Sequence, residues 1–267
     1  MKTALIVIPA RNEEASLARF LPRLTTTTRG LSTDYHVLVV DDGSTDHTVK
    51  LAMDMGCRVL RNKENCGVGM SLRKGYEMAL AENFYYVITM DADGQHDERF
   101  LPGIFDEFFE GTDIVIGSRY HPKSERRGVP LDRDLLNIAV AAQIRTVTGW
   151  EITDPLSGFW GMNQMCVKLA LQLGRQERYG IHLEHLIKFW YLADPRPTIK
   201  EFPHPAIYRN GEESLLTRDY APTNMESRIE RFGTHAHHIV EALQDVIREI
   251  GEEPVYREIQ QRRWRWL

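Results

Sequence analysis

Two aspartates that follow an apolar stretch of the chain are the residues best suited to chemistry. Residues 86–90 are apolar or β-branched, which predicts a buried strand. Asp91 and Asp93 come directly after it, and a turn at Gly94 can bring the second carboxylate toward the first. Carboxylate oxygens are ligands of hard divalent cations, so the pair predicts a Mg²⁺ or Mn²⁺ site that also holds phosphate oxygens. A polar turn of solvated charges would explain the same triplet taken alone.

Polar residues also follow the first predicted strand, at positions 9–13. Together with the free N–H groups of the next helix, they could hold a base, a ribose or a phosphate. A simple strand–helix turn with Asn12 as its cap explains them equally well.

The second predicted strand ends at Asp41 and Asp42. A carboxylate there is well placed for ribose hydroxyls or a base N–H. Two other interpretations are capping of the next helix by Ser44 or Asp46 and a receiver-type phosphoacceptor site. A receiver domain would be shorter than this chain and would have no place for a second acidic pair after residue 90.

Two glycines, Gly67 and Gly69, lie in a loop before a predicted helix that carries Arg73 and Lys74. Glycines let the backbone approach a ligand, and either cation could lie near a phosphate. The spacing fails that of a P-loop, and no Gly-x-Gly-x-x-Gly follows the first strand, which disfavours a nicotinamide-dependent dehydrogenase. A plain loop would explain the same residues.

The elements that must position these residues form an alternating pattern. Apolar runs predict strands at residues 4–8, 35–40, 57–60, 86–90 and 114–117, with helices between the first four of them. This pattern predicts a mostly parallel, doubly wound α/β sheet with helices on its faces. Later, residues 135–147, 183–192 and 224–249 predict helices, 199–208 predict strands, and 121–132 and 153–159 predict loops.

Composition limits the function classes. The 267 residues are 42% hydrophobic and 27% charged, as in an ordinary globular protein, and predict a domain at 1–220 followed by a helical appendage at 221–267. The net charge of −5 disfavours a nucleic-acid partner. Three cysteines without metal-site spacing favour a reduced, cytoplasmic compartment. The sequence predicts neither a signal peptide nor a transmembrane helix.

Five motifs occur in one order with consistent strand spacing. They are Pro-Ala-x-Asn-Glu at 9–13, Val-Asp-Asp-Gly-Ser-Thr-Asp at 40–46, Asn-x-Gly-x-Gly at 65–69, Asp-Ala-Asp-Gly-Gln-His at 91–96 and Gly-Ser-Arg at 117–119. This set resembles the family 2 glycosyltransferases of GT-A fold, and within them the polyprenyl-phosphate (dolichyl-phosphate) mannosyltransferase-like group. Thr-Asp-Pro-x-Ser-Gly-Phe at 153–159 and Arg-x-Gly-Glu-x-Ser at 209–214 extend the resemblance.

The resemblance implies a nucleotide-sugar donor, a metal ion and a role for each matching position. Residues implied to contact the donor nucleoside are Pro9, Ala10, Asn12, Glu13 and Asp42. Those implied to hold the metal and the diphosphate are Asp91, Asp93 and Gln95, with Arg119 near the phosphates. Those implied to lie on the acceptor side are Arg133 and Arg209, for an acceptor phosphate, and Asp154 and Glu184.

The chemistry of glycosyl transfer fits this layout. Charge develops on the leaving diphosphate, so a metal and an arginine beside it lower the barrier, and the acceptor attacks the opposite face of C1. A lipid phosphate is already anionic and needs no base. A hydroxyl of a glycan or small molecule would need a carboxylate to take its proton, and Asp154 and Glu184 are the candidates. Otherwise these two would be a turn-stabilising Asp and a solvated helix Glu.

Several alternatives stay open at this point. The late motif departs from the family pattern because Leu215 replaces the expected lysine, which weakens the case for lipid-phosphate binding there. A catalytically silent sugar-nucleotide-binding scaffold would retain the same motifs. A nucleotidyltransferase shares this architecture but would need a glycine-rich loop directly after the first strand, which this chain lacks.

The C-terminal segment has two interpretations. Trp264 and Trp266 alternate with arginine, which suits peripheral binding at the inner face of a membrane. The preceding helix carries acids that an anionic surface would repel, which favours packing on the domain or on a second subunit in a homodimer.

Overall fold

A mixed β-sheet forms the centre of the computed structural model, which describes residues 2–29, 33–177, 180–207 and 225–263. In chain order the strands are β1 (Thr3–Ala10), β2 (Asp34–Asp41), β3 (Arg58–Arg61), β4 (Tyr86–Thr89), β5 (Ile114–Ser118), β6 (Arg126–Arg127), β7 (Trp160–Asn163), β8 (Ile199–Pro203) and β9 (Ala206–Ile207). Seven of them form the main sheet in the order β3-β2-β1-β4-β7-β5-β8, and β6 pairs with β9 as a separate ribbon.

The helices cover both faces of this sheet. In chain order they are α1 (Glu14–Thr28), α2 (Thr48–Asp54), α3 (Val68–Ala81), α4 (Leu101–Phe109), α5 (Leu131–Thr148), α6 (Gln164–Leu173), α7 (Ile181–Leu192), α8 (Met225–Ile250) and α9 (Glu252–Arg263). One cluster of buried side chains packs α3, α5, α6, α7 and α8 on one face, and a second packs α1 and α4 on the other. The predicted α/β class is confirmed.

Strand direction brings the functional segments to one edge. All strands of the main sheet run parallel except β7, which is antiparallel to both β4 and β5. The edge where β1, β2, β4 and β5 end is therefore also the edge where β7 begins. The chain leaves β1 toward β2 on one side and returns to β4 on the other, and such a switch point is the usual ligand site of open α/β sheets.

The central strand explains why the sheet forms from this sequence. Residues 4–8 of β1 are apolar and fully buried, as expected for a strand covered by helices on both faces. Only backbone hydrogen bonds to β2 and β4 can satisfy their polar groups there, so burial and strand pairing reinforce one another.

Some elements differ from the predictions. Strand β7 and helices α4, α6 and α9 were not predicted, because their segments are short or lack a clear apolar period. Helix α5 begins at Leu131 and β6 lies at residues 126–127, so part of the predicted loop at 121–132 has regular structure. Ser44 does not cap α2. Its hydroxyl accepts the backbone N–H of Asn12 instead, while Asp46 accepts the N–H of Thr48 near the start of α2.

The long predicted C-terminal helix is α8, and it packs on the domain. Ile239, Ala242 and Val246 are buried and belong to the same core cluster as α7. The domain boundary predicted near residue 220 falls outside the described residues, and the homodimer stays a prediction. Within the described ranges, no helix combines the length and apolarity needed to cross a bilayer.

Candidate functional site

The turn after β4 presents two carboxylates at the sheet edge. Asp91 and Asp93 follow the buried Met90, and the backbone N–H of Gln95 donates to Asp93 Oδ1 at 2.9 Å, which closes the turn. The Asp91 side chain is 48% exposed although protein surrounds it, so it lies in a recess open to solvent on one side. This opening leaves room for a ligand.

Both carboxylates have raised pKa values. Burial raises the pKa of Asp91, and the positive charges of Arg119 and Arg133 oppose that rise. Burial and then the charge of Asp91 raise the pKa of Asp93 to about 7, against the N–H of Gln95 and the same two arginines. A divalent cation between these groups would remove the repulsion, so the pair favours metal binding.

His96 and Gly158 border Asp91. The N–H of Asp91 donates to His96 Nδ1 at 2.8 Å, and His96 Nε2 lies 3.5 Å from Asp91 Oδ2. A Cβ on Gly158 would lie 2.9 Å from Asp91 Oδ1 and 3.0 Å from Oδ2. Burial and the charge of Arg119 lower the pKa of His96 to about 3, so the ring is neutral. Both residues lie within motifs of the family resemblance, but the sequence indicated no role for either.

His204 ties this turn to the neighbouring strand. Its Nε2 accepts the N–H of Asp97 at 3.0 Å, and its own N–H donates to Ser118 O at 2.9 Å, at the end of β5. Burial, followed by the proximity of His96 and Arg119, lowers the pKa of His204 to about 3. The residue lies more than 100 positions from the turn and belongs to none of the quoted motifs, so no sequence signal marked it.

Arg119 and Asp154 form a closed pair beside the carboxylates. Arg119 Nε donates to Asp154 Oδ2 at 2.7 Å and Nη2 to Oδ1 at 2.9 Å, while the backbone N–H of Arg119 donates to Oδ2 at 2.9 Å. Asp154 is fully buried. Its two oxygens are thus occupied by one arginine, and the pair fixes that guanidinium near Asp91 and Asp93.

Glu201, from β8, supports the loop that carries Asp154. Its carboxylate accepts the backbone N–H groups of Thr153 and Asp154 and the hydroxyl of Thr153, all within 2.7–3.0 Å. Burial raises the pKa of Glu201 while these hydrogen bonds lower it, and the net direction is upward. No local sequence pattern predicts this contact, because it joins residues 47 or 48 positions apart.

The loops after β1 and β2 interlock on the other side of the switch point. The N–H of Glu13 donates to Thr48 Oγ1 at 2.8 Å, and the N–H of Thr45 donates to Asn12 Oδ1 at 2.8 Å. Asn12 holds a positive φ of 55°, which asparagine tolerates better than most residues. Pro9 and Ala10 end β1 next to Val40 and Asp41. The predicted nucleoside residues therefore lie together at this edge of the sheet, although Ala10, Glu13 and Asp42 are buried.

Asp42 organises the glycine loop. Its Oδ1 accepts Asn62 Nδ2 and the N–H of Cys66, both at 2.8 Å, and its Oδ2 accepts the N–H of Gly67 at 2.9 Å. Gly67 has a φ of 96°, a conformation that disfavours side chains. Asp41 is fully buried and accepts the N–H of Ser44, with Arg61 nearby at 3.3 Å. Both acids therefore hold the loops around the site in place through hydrogen bonds.

Three predicted residues lie elsewhere or outside the described ranges. Arg73 donates to the carbonyl of Gly174 at 2.7 Å, so this cation braces α3 against the end of α6 and is not aimed at a phosphate. Glu184 is fully buried, not solvated, and forms an ion pair with Lys188 at 2.8 Å while accepting two backbone N–H groups at residues 175–176. Arg209 lies outside the described residues.

The donor set fits a hard divalent cation whose coordination is completed by the substrate. Among the described residues, no group of three or more His, Cys, Asp or Glu side chains surrounds one point. Asp91 and Asp93 supply two carboxylates, and Mg²⁺-type sites often combine one or two carboxylates with phosphate oxygens and water. The neighbouring imidazole of His96 keeps its Nδ1 occupied by a backbone N–H, so oxygen is the available ligand type.

Comparison with known proteins agrees with this geometry. The family model described as "Glycosyl transferase family 2" matches residues 5–168. An uncharacterised protein of Methanocaldococcus jannaschii is 32% identical over 76% of this chain and 81% of its own length. A dolichol-phosphate mannosyltransferase of Pyrococcus furiosus is 29% identical over 61% of this chain, and the match spans 47% of that enzyme.

The fold also matches solved structures. Glucosyl-3-phosphoglycerate synthase from Mycobacterium tuberculosis, solved with Mn²⁺, UDP-glucose and phosphoglyceric acid, aligns with a TM-score of 0.64 and 23% identity over 92% of this chain and 79% of that one. The likeness confirms the predicted GT-A architecture. Further relatives, named polyprenol monophosphomannose synthase and undecaprenyl-phosphate mannosyltransferase, confirm the predicted resemblance to that group. The chain belongs to family 2 of the glycosyl transferases and is a glycosyltransferase.

Proposed function

We propose that this glycosyltransferase uses a nucleotide-sugar donor and a divalent metal, Mg²⁺ or Mn²⁺, and transfers the sugar with inversion to a polyprenyl phosphate. The adjacent Asp91 and Asp93 carboxylates carry the proposal, because they lie together in a recess that opens to solvent, where burial raises both pKa values and a bound cation would favour the charged forms. A metal held by these two residues, with the Gln95 side chain as a further ligand, would bind the donor diphosphate and stabilise the charge of the leaving group.

The state of the two candidate bases favours an anionic acceptor. Both oxygens of Asp154 accept hydrogen bonds from Arg119, and the carboxylate of Glu184 is occupied by Lys188 and backbone N–H groups. A hydroxyl acceptor would require one of these carboxylates to leave its partners and take a proton. A phosphate acceptor needs no such step. Arg119 would then position the donor diphosphate, and Arg133 would position the acceptor phosphate.

An apolar stripe on α5 supports a lipid as the carrier of that phosphate. Leu131, Leu135 and Ile138 are 70%, 51% and 58% exposed, and their spacing places them on one face of the helix. Arg133, whose charge acts on Asp91 and Asp93, lies in the first turn of the same helix. We assign the stripe to the prenyl chain or the membrane beside it, which implies peripheral membrane association.

In the proposed reaction the protein's own groups hold the reactants and shield the developing charge. The interlocked loops at residues 10–14 and 42–48 would bind the nucleoside. Arg119, held in place by Asp154, would face the donor phosphates. Arg133 would hold the acceptor phosphate on the opposite side of C1, so that an acceptor oxygen forms the new bond as the diphosphate leaves.

The acceptor class can be tested by supplying two matched lipids. Purified enzyme would receive GDP- or UDP-sugars, Mn²⁺ and either undecaprenyl phosphate or undecaprenol, each in detergent. We expect transfer to the phosphate and none to the alcohol. Asp154→Asn keeps the side-chain shape but weakens the hold on Arg119, so we expect a lower rate with the phosphate and no change in acceptor preference.

The same experiment can contradict the proposal. Transfer to undecaprenol or to a soluble sugar that is abolished by Asp154→Asn would indicate a hydroxyl acceptor and a base at that position. Nucleotide-sugar binding without turnover on any acceptor would favour the silent-scaffold alternative.

A further inference from the structure

His96 has a buried imidazole in the turn that carries Asp91 and Asp93, and the plane of its ring is fixed. It stacks on Phe159, with ring centroids 5.3 Å apart and planes 17° apart, and the edge of His204 packs against it at 5.8 Å. A buried aromatic ring that packs on two others has little rotational freedom. The orientation of its two nitrogens is therefore set by the fold.

The hydrogen bond from the backbone determines which nitrogen carries the proton. His96 Nδ1 accepts the N–H of Asp91 at 2.8 Å, and an accepting nitrogen carries no proton. The neutral ring must then be protonated on Nε2. That nitrogen lies 3.5 Å from Asp91 Oδ2, so the protonated edge of the ring faces the carboxylate. One side chain thus contacts residue 91 at both its backbone and its carboxylate.

Gly158 restricts the Asp91 carboxylate from another side. A Cβ at this glycine would lie within 3.0 Å of both carboxylate oxygens and 3.2 Å from His96 Cε1. The carboxylate therefore occupies the space that a side chain at position 158 would fill, with the imidazole edge beside it. Packing of this kind limits the rotation of the carboxylate about its side-chain bonds.

We propose that His96 is a positioning residue that aims the Asp91 carboxylate at the metal and the donor diphosphate, through its Nε2–H and its bond to the Asp91 backbone. The inference rests on the proposed metal-dependent function and adds a residue to it. Groups that orient a ligating carboxylate commonly change metal affinity by about 10- to 100-fold when they are removed.

His185 offers a matched control for the structural part of this role. It is also fully buried and stacks on an aromatic ring, that of Phe189, with centroids 5.4 Å apart and planes 4° apart. It lies on α7, where its other ring contacts are with Tyr76 and His182. Substituting either histidine removes a buried ring, but only His96 contacts Asp91.

Two substitutions separate the two contacts of His96. In His96→Asn the amide oxygen can replace Nδ1 as acceptor, but no donor reaches the carboxylate. In His96→Gln the longer side chain can return an N–H near the position of Nε2. The affinity for Mn²⁺ would be measured by electron paramagnetic resonance of the free ion, with GDP and with UDP, for wild type, both variants and His185→Asn.

We expect His96→Asn to weaken Mn²⁺ binding about tenfold and His96→Gln to lie within about threefold of wild type. His185→Asn should bind Mn²⁺ as wild type does, although it lowers the thermal midpoint. Equal Mn²⁺ affinities of wild type and His96→Asn, or no recovery of affinity in His96→Gln, would overturn the proposed role of His96. Neither result would contradict the proposed metal-dependent function. If the wild type binds no Mn²⁺ with either nucleotide, the proposed metal-dependent function fails as well.

A measurement on the unsubstituted protein covers the case in which the His96 variants do not fold. In metal-free protein labelled with ¹⁵N, the imidazole nitrogen shifts report the tautomer directly. We expect His96 to be neutral with its proton on Nε2, and a ring protonated on Nδ1 would overturn the inference because it could not accept the N–H of Asp91.

Discussion

Asp93 illustrates how a proposed metal ligand can lower the stability of the protein that contains it. Burial and the charge of Asp91 raise its pKa to about 7 from an ordinary value of 3.8. A carboxyl whose pKa is raised by folding stabilises the folded state at low pH, and this stabilisation is lost as the pH rises through about 7. The metal-free enzyme should therefore become less stable as the pH rises from 3.8 to about 7.

Asp93→Asn should accordingly be more stable than wild type without metal. At pH 8 we expect an increase in the free energy of unfolding on the order of 1 kcal/mol after allowance for partial exposure, and a smaller increase at pH 5, where wild-type Asp93 is mostly protonated. Denaturant unfolding at the two pH values checks this. Activity should fall about 100-fold or more. A variant less stable than wild type at pH 8 would contradict the electrostatic description.

Gly158→Ala should disturb the proposed metal site without straining the backbone. The added methyl would lie 2.9 Å from Asp91 Oδ1, so the carboxylate must move. We expect Mn²⁺-dependent nucleotide affinity to fall about tenfold. Gly103→Ala is the control, because its Cβ meets no atom within 4 Å and alanine is favoured over glycine in helix α4 by about 0.5–1 kcal/mol. Equal nucleotide affinity in both variants would show that position 158 tolerates a side chain.

At the scale of elements, a buried charge cluster joins α7 to α8. Lys188 Nζ contacts Glu184 Oε1 at 2.8 Å, Asp245 Oδ2 at 3.1 Å and the carbonyl of Leu173 at 2.8 Å. Glu184 in turn accepts two backbone N–H groups of the loop before α7. The C-terminal helix is therefore attached by charge as well as by its apolar face.

Lys188→Ala should destabilise the protein by about 3–5 kcal/mol, because it leaves a buried carboxylate without its cation. Lys50→Ala is the control, since the ion pair of Lys50 with Asp54 is exposed and should contribute little. Chemical denaturation gives both values. A similar small effect of the two substitutions would mean that the cluster contributes little to the attachment of α8.

The apolar face of α5 should matter for a lipid acceptor and not for the donor. We expect Leu135→Glu to raise the KM for undecaprenyl phosphate in vesicles about tenfold, since a charge replaces apolar surface at the lipid contact. Met53→Glu is the control, as Met53 is 58% exposed on α2. Nucleotide affinity should be unchanged in both. An unaltered KM in Leu135→Glu would mean that this face of α5 does not contact the acceptor.

At the scale of the molecule, the sequence pattern predicted the features that depend on residues close together in the chain, such as strands and the order of elements. The apolar run of β1 and the alternation of elements identified a parallel sheet, and the strand ends located Asp42 and Asp91 at one edge. Arg119 was assigned to the same site only through the family resemblance. Strand β7 escaped prediction because an antiparallel strand of four residues leaves no period to detect.

The contacts within the site were harder to predict because they join distant residues. Glu201 and His204 support loops that lie far from them in the chain, and only the folded sheet brings them together. The charge state of a side chain depends on its partners in the same way. Glu184 was predicted to be a catalytic base or a solvated acid, but it is a buried partner of Lys188.

Metal-dependent nucleotide binding tests the central claim most directly. Thermal unfolding would be recorded with GDP, UDP and CDP, each with and without Mn²⁺, for wild type and Asp93→Asn. We predict that one nucleotide raises the thermal midpoint only when Mn²⁺ is present. At a nucleotide concentration 100 times Kd, the free energy of unfolding should increase by about 2.7 kcal/mol. Asp93→Asn should abolish this effect. A stabilisation independent of Mn²⁺, or one retained in Asp93→Asn, would contradict a donor site built on these two carboxylates.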